Sequence, residues 1–139
     1  MTQRRQSLTI HLLRVREKIR KDFLPVLAEF KLSNQQWRIL RLLYDNGVAG
    51  VSQIAEECVL MQPSVVKMVP RMESQGLVRR QKVEGDRRRT DVAITDKGRA
   101  LVEQILPYLD KRYEQLEKRL GAELLDRLCA VLDEVDSKL

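Results

Sequence analysis

Between Ser52 and Ile94 three local patterns follow one another with no room for a linker. Ser52, read as an N-cap, opens a short helix through Ile54, Ala55 and Cys58. After Val59-Leu60-Met61-Gln62, Pro63 stands where the first position of another helix tolerates it, and that helix runs to Gly76 through Val66, Val69 and Met72, which are read as core. Leu77–Val83 then mixes β-branched with basic residues. Glu84-Gly85-Asp86 offers a turn, and Thr90, Val92 and Ile94 alternate against Asp91 and Ala93. Two short helices joined by a tight turn and followed at once by a basic hairpin describe a winged helix-turn-helix. The expected hairpin tip is Gly85-Asp86-Arg87-Arg88-Arg89.

Long helical patterns flank this segment. From Ser7 to about Phe30, Leu8, Leu12, Val15, Ile19, Phe23, Leu27 and Phe30 form one stripe, and Pro25 inside it is predicted to bend the helix. Ser33-Asn34-Gln35-Gln36 reads as a capping box for a helix through Trp37, Leu40 and Tyr44 that stops at Asn46-Gly47, with Gly47–Val51 as a connector. Thr95-Asp96 caps a fifth helix lined by Leu101, Ile105, Leu109, Leu116 and Leu120, which Pro107 is predicted to kink. Gly121 breaks it, and Leu124, Leu128, Val131, Val135 and Leu139 line a sixth. The terminal stripes have no sheet of their own to cover, and a second copy of the chain is the simplest partner. The expected fold is therefore mainly α with a small β-hairpin wing, a winged helix-turn-helix whose N- and C-terminal helices form a dimerisation bundle. Residues 1–32 and 96–139 are assigned to that helical dimerisation region, and 33–95 to the DNA-binding lobe, as one intertwined domain.

Charge points to the partner. Residues 1–95 hold 18 basic and 10 acidic side chains, a balance of +8, whereas 96–139 hold 8 and 10, a balance of −2. Arg79, Arg80, Lys82, Arg87, Arg88 and Arg89 place six cations within eleven residues. A charged, solvated sheet edge would explain them alone. Directly after a helix-turn-helix they read better as a wing, with an arginine in the minor groove and the others on phosphates. The second helix of the motif offers Gln62, Ser64, Val65, Lys67 and Met68 near its start, with Val65 expected against a thymine methyl, and Arg71 further along. Pro70 is out of place in a helix interior.

Other chemistries lack their residues. His11 is the single histidine, and there is no glycine-rich phosphate loop, no H-x-x-E and no C-x-x-C, so no catalytic, metal or cofactor site is expected. Cys58 and Cys129, 71 residues apart, are expected as small core hydrophobes in an intracellular chain. No apolar run approaches the ~18 residues of a membrane span, and the N-terminus lacks the features of a signal peptide. Trp37 and Arg41 share a helical face, which suits a ring bearing a carboxylate, although core packing of the tryptophan with a snorkelling arginine fits the spacing as well.

The run Asp86-Arg87-Arg88-Arg89-Thr90-Asp91-Val92-Ala93-Ile94-Thr95-Asp96-Lys97-Gly98 resembles the wing signature of MarR-type regulators, and Arg71–Val78 resembles their recognition-helix exit. Ser7-Leu8-Thr9-Ile10, Arg16-Glu17 and Gln35-Gln36-Trp37-Arg38-Ile39 are similar to the branch that regulates homoprotocatechuate (hydroxyphenylacetate) degradation operons. The resemblance implies a cytoplasmic, bacterial, homodimeric repressor of an aromatic-catabolism operon, bound to a pseudo-palindromic operator and released by a small phenolic or aromatic acid. It implies that Asp86 braces Arg88, which enters the minor groove. It further implies an effector site of Ser7, Thr9, Arg16, Phe23, Asn34, Trp37, Arg41 and Tyr113, with Ser7 and Thr9 coming from the other subunit. Gln62 and Pro70 depart from the Arg and Thr common in that branch. A ligand-insensitive or redox-responsive DNA-binding regulator is the alternative.

Overall fold

The computed structural model describes residues 2–139, with side chains from Ser7 onward apart from that of Arg87. Six helices and three strands follow in the order α1 (Thr2–Glu29), α2 (Asn34–Asn46), β1 (Val48–Gly50), α3 (Val51–Glu57), α4 (Gln62–Ser74), β2 (Val78–Val83), β3 (Asp86–Ile94), α5 (Asp96–Leu120) and α6 (Ala122–Lys138). The described chain forms two compact units, one of Leu24–Leu106 and one of Met1–Phe23 with Pro107–Leu139. Val26, Leu27 and Leu32, and then Val102 and Ile105, are buried in the first of these units.

In the central unit, the box at the start of α2 is reciprocal. The Gln36 N–H donates to Ser33 Oγ at 3.1 Å, and the Ser33 N–H donates to Gln36 Oε1 at 3.0 Å, satisfying two donors the helix cannot. Gly47 ends the helix at φ +81°, a conformation that favours glycine. The expected connector is instead strand β1, which pairs with β3 through Val48↔Ala93, Ala49↔Val92 and Gly50↔Asp91 in an antiparallel sheet of order β1-β3-β2. Because β1 runs straight into α3, Gly50 rather than Ser52 occupies the N-cap. Helix α4 likewise starts one residue earlier than expected, at Gln62, with Met61 as N-cap.

The core is built from Ile39, Leu40 and Leu43 of α2, Ile54 of α3, Val65, Val69 and Met72 of α4, Val78 and Val92 of the sheet, and Val102 and Ile105 of α5. Each side chain of this kind removed from water contributes ~1.5–3 kcal/mol. Thr95 pins α5 to the sheet: its hydroxyl oxygen lies 2.6 Å from the Gly76 carbonyl and accepts from the Gly98 N–H at 3.0 Å. Gly98 admits no side chain, since a Cβ would strike the Leu77 carbonyl oxygen and stand 2.8 Å from Ile94 Cγ1. Helices α1, α4 and α5 continue through Pro25, Pro70 and Pro107.

In the terminal unit, the Phe23 and Tyr113 rings lie 4.6 Å apart at a tilt of 55°, and Arg119 approaches Asp22 at 3.5 Å. Leu109 and Leu116 are buried, but α6 buries no residue at all. Leu8, Leu12 and Val15 on α1 and Leu124, Val131 and Val135 on α6 are all exposed. Cys129, expected in a core, is exposed on α6, where no packed layer covers it. No helix among the described residues is long and apolar enough to cross a membrane.

Candidate nucleic-acid interface

The wing turns on two residues. Val83 pairs with Asp86, leaving Glu84-Gly85 as the turn, and Gly85 adopts the φ of +85° that such a turn demands. The hairpin tip is therefore Glu84-Gly85, and the arginines expected there lie on β3. The register explains where they went: Lys82 pairs with Thr90 and Val83 with Asp86, so Arg87, Arg88 and Arg89 oppose no residue of β2. Such a bulge bends a strand and re-aims its side chains. Asp86 Oδ1 accepts the backbone N–H of Arg88 at 3.0 Å, fixing the bulge rather than gripping the guanidinium.

The six wing cations are not equivalent. Arg80 is held by Glu73 of α4: its backbone N–H donates to Oε2 at 2.8 Å, and its Nε donates to Oε1 at 3.1 Å. These bonds hold the Glu73 carboxyl below the usual glutamate range. Arg89 Nε pairs with Asp91 Oδ1 at 3.3 Å. Arg79, Lys82 and Arg88 are exposed and enter no ion pair among the described residues. The Arg87 side chain lies outside the described ones.

Helix α4 is oriented by Val65, Val69 and Met72, which are 0%, 2% and 0% exposed. Val65 is therefore core and cannot meet a thymine methyl. Val66, expected in the core, is 56% exposed in its place. The two neighbours fit the helical spacing equally well, and tertiary burial selects Val65. Gln62, Ser64, Lys67 and Arg71 are exposed, and Met68 is half-buried. Gln62 and Val66 line a cleft shared with Asp86, Arg88 and Arg89 of the wing. Ser64, Lys67, Met68 and Arg71 line a second groove with Ser33 and Gln36 at the start of α2. Backbone donors at a helix start and these cations suit phosphates.

Arg38, part of the Gln35–Ile39 run but given no role from the sequence, ties α2 to the turn between α3 and α4. Its Nη1 donates to the Cys58 carbonyl at 2.7 Å, and Cys58 Sγ donates back to the Arg38 carbonyl at 3.4 Å. Val59 follows at φ +55°, a conformation rare for a β-branched residue, so the turn is held against its local preference. Burial pushes the Cys58 thiol up, against a smaller downward pull from Arg38. That is the reverse of what a reactive thiolate needs.

The residues proposed from resemblance for an effector fall in both units. In the central one, Asn34 begins α2, and Trp37 and Arg41 follow one turn apart; all three are half-buried. Arg41 Nε lies 3.6 Å from Asp45 and its guanidinium carbon 5.6 Å from the Tyr44 ring centroid, while its Nη1 is buried without a hydrogen-bond partner among the described residues. Arg99 approaches the same ring at 5.9 Å, a contact between distant segments that the sequence did not signal. In the terminal unit, Phe23 stacks on Tyr113, Arg16 pairs with Glu17 at 3.0 Å, and Ser7 and Thr9 are exposed on α1. No group of three or more His, Cys, Asp or Glu among the described residues could hold a metal.

Residues 32–90 match the model of the MarR family. The chain is 36% identical over 136 residues to the HTH-type transcriptional regulator FarR of Neisseria gonorrhoeae, covering 96% of this chain and 93% of that one. It is 34% identical over 128 residues to the homoprotocatechuate degradative operon repressor of Escherichia coli, covering 92% and 86%. Among solved structures, NadR in complex with 4-hydroxyphenylacetate superposes with a TM-score of 0.82 at 36% identity, over 93% of this chain and 92% of that one. With a recognition helix between two grooves, a basic wing beside it and relatives of this closeness along nearly its whole length, the chain belongs to the MarR family of DNA-binding, winged-helix transcriptional regulators.

Proposed function

We propose that this regulator acts as a homodimer on a pseudo-palindromic operator, repressing an aromatic-compound catabolic operon until a small phenolic or aromatic carboxylic acid releases it. The observation that carries the effector is Arg41. A buried donor with no acceptor costs about 1–3 kcal/mol, and Arg41 Nη1 is one such donor, a turn away from an indole. A carboxylate satisfies it and an aromatic ring suits the indole. In this reading Arg41 pairs the acid and Trp37 packs on the ring. Asn34 of the same helix bonds its polar edge, and the partner subunit's Ser7 and Thr9 close the site. The 4-hydroxyphenylacetate bound to NadR and the operon named for the Escherichia coli repressor support that ligand class.

Release works by population shift. A ligand that prefers the released dimer by ~100-fold contributes about 2.7 kcal/mol per site, enough to move a modest equilibrium between DNA-competent and incompetent spacings of the recognition helices. The raised thiol of Cys58 disfavours a redox trigger. Calorimetry of wild type and Arg41→Leu against phenolic and benzoic acids tests the reading. Wild type should bind at least one acid, and Arg41→Leu should bind none while keeping wild-type operator affinity. A wild type that binds no acid, or an Arg41→Leu protein that binds them equally, overturns the pocket.

A further inference from the structure

Helix α4 carries two residues that helix physics disfavours, and both are exposed. Val66 is β-branched and 56% exposed, so neither propensity nor burial explains it. Pro70, one turn further on and also exposed, lacks the N–H that would bond the Val66 carbonyl, at a usual cost of ~3 kcal/mol. With Pro63 they make an apolar, uncharged stripe on the exposed side of a helix whose buried side is Val65, Val69 and Met72. Cations border the stripe. Lys67 and Arg71 lie along one flank, and Arg88 and Arg89 stand across the cleft that Gln62 and Val66 line. An apolar strip framed by cations matches one feature of duplex DNA, the thymine methyl, which stands in the major groove between two phosphate backbones. Residues that break local rules without a packing reason concentrate where function demands them.

We infer that Val66 is a specificity-determining residue that packs against a thymine methyl of the operator, with Gln62, one turn before it, bonding the edge of a nearby adenine. One helical turn spans about 5.4 Å, so the two bases lie within about two base-pair steps of each other. Lys67 and Arg71 then serve phosphates and carry no sequence information of their own. This rests on the DNA-binding reading of α4 and adds to it which residue reads which base feature.

The test removes the methyl without touching the pairing. Wild-type protein first enriches a duplex from a random library, and each thymine of that duplex is then replaced singly by deoxyuridine. At one thymine per half-site, wild type should lose about four-fold in affinity, the value of one buried methyl-sized group. Val66→Ala should fold as wild type, since the side chain is exposed, and should bind the thymine and deoxyuridine duplexes alike. Wild-type indifference at every thymine overturns the inference, as does a Val66→Ala protein that keeps the methyl preference. A wild type that enriches no duplex overturns the DNA-binding reading and this assignment with it.

Discussion

Arg88 and Asp86 divide one task between charge and shape. The Arg88 guanidinium is exposed on a bulge whose backbone Asp86 holds through the Arg88 N–H. Arg88→Ala should weaken operator binding by ~1–3 kcal/mol, because an arginine in a narrow groove combines charge with shape readout. Asp86→Ala separates the two effects. It removes a negative charge next to the phosphates, which favours DNA of any sequence, and it frees the bulge, which penalises only the specific complex. Operator affinity should therefore fall while random-duplex affinity holds or rises. Lys82→Ala should lower both alike and reduce the salt slope by about one. Salt-titrated anisotropy on operator and random duplexes distinguishes the three, and an Arg88→Ala protein that titrates as wild type sinks the assignment. The three arginines were visible in the sequence, but their position on a bulge was not. A bulge is a property of register between two strands, and residues 87–89 carry no local mark of opposing nothing.

A carboxylate of the recognition helix reaches into the wing. Glu73, near the end of α4, accepts both the backbone N–H and the Nε of Arg80 on β2, and its pKa is lowered chiefly by that backbone bond and next by the side-chain bond. A depressed folded-state pKa means that the folded protein binds fewer protons than the unfolded one in the window between the two values. The resulting stability is fully present above the unfolded glutamate value of about 4.3 and is lost as pH falls through the folded value. Wild type should thus exceed Glu73→Gln in denaturant midpoint at pH 7, and the gap should narrow as pH falls below the unfolded glutamate value of about 4.3. A gap independent of pH would show that Glu73 acts only by packing. At this scale the elements with strong local signals, such as the capping box of α2 and the Thr95 start of α5, were legible in the chain. Strand β1 was not, because three residues gain their meaning only from pairing with β3 some forty positions away. The phase of α4 was off by one for a related reason: Val65 and Val66 fit the same period, and only tertiary packing decides between them.

Across the whole chain, the apolar surface outruns what either unit buries. Helix α6 repeats Leu124, Leu128, Val131 and Val135 at steps of four, three and four, yet none of its residues is buried, and Val131 is 55% exposed. Helix α1 shows Leu8, Leu12 and Val15 in the same state. Exposed stripes of this extent on a charged protein mark an interaction surface, and in the proposed homodimer a second copy would cover both sets at once under two-fold symmetry. In that proposed dimer two recognition helices about 34–36 Å apart would reach successive major grooves, and each half-site would raise the effective concentration for the other. Val131→Glu places a charge in that surface and touches nothing in the central core. It should convert the protein to a folded monomer by sedimentation and cut operator affinity by roughly 100-fold or more, while random-duplex binding per lobe changes little. Wild type should also melt at a higher temperature as its concentration rises, since association stabilises the folded state by mass action. Both expectations fail together if wild type sediments as a monomer at micromolar concentration and still binds the operator, in which case the terminal helices serve some purpose other than pairing two wings.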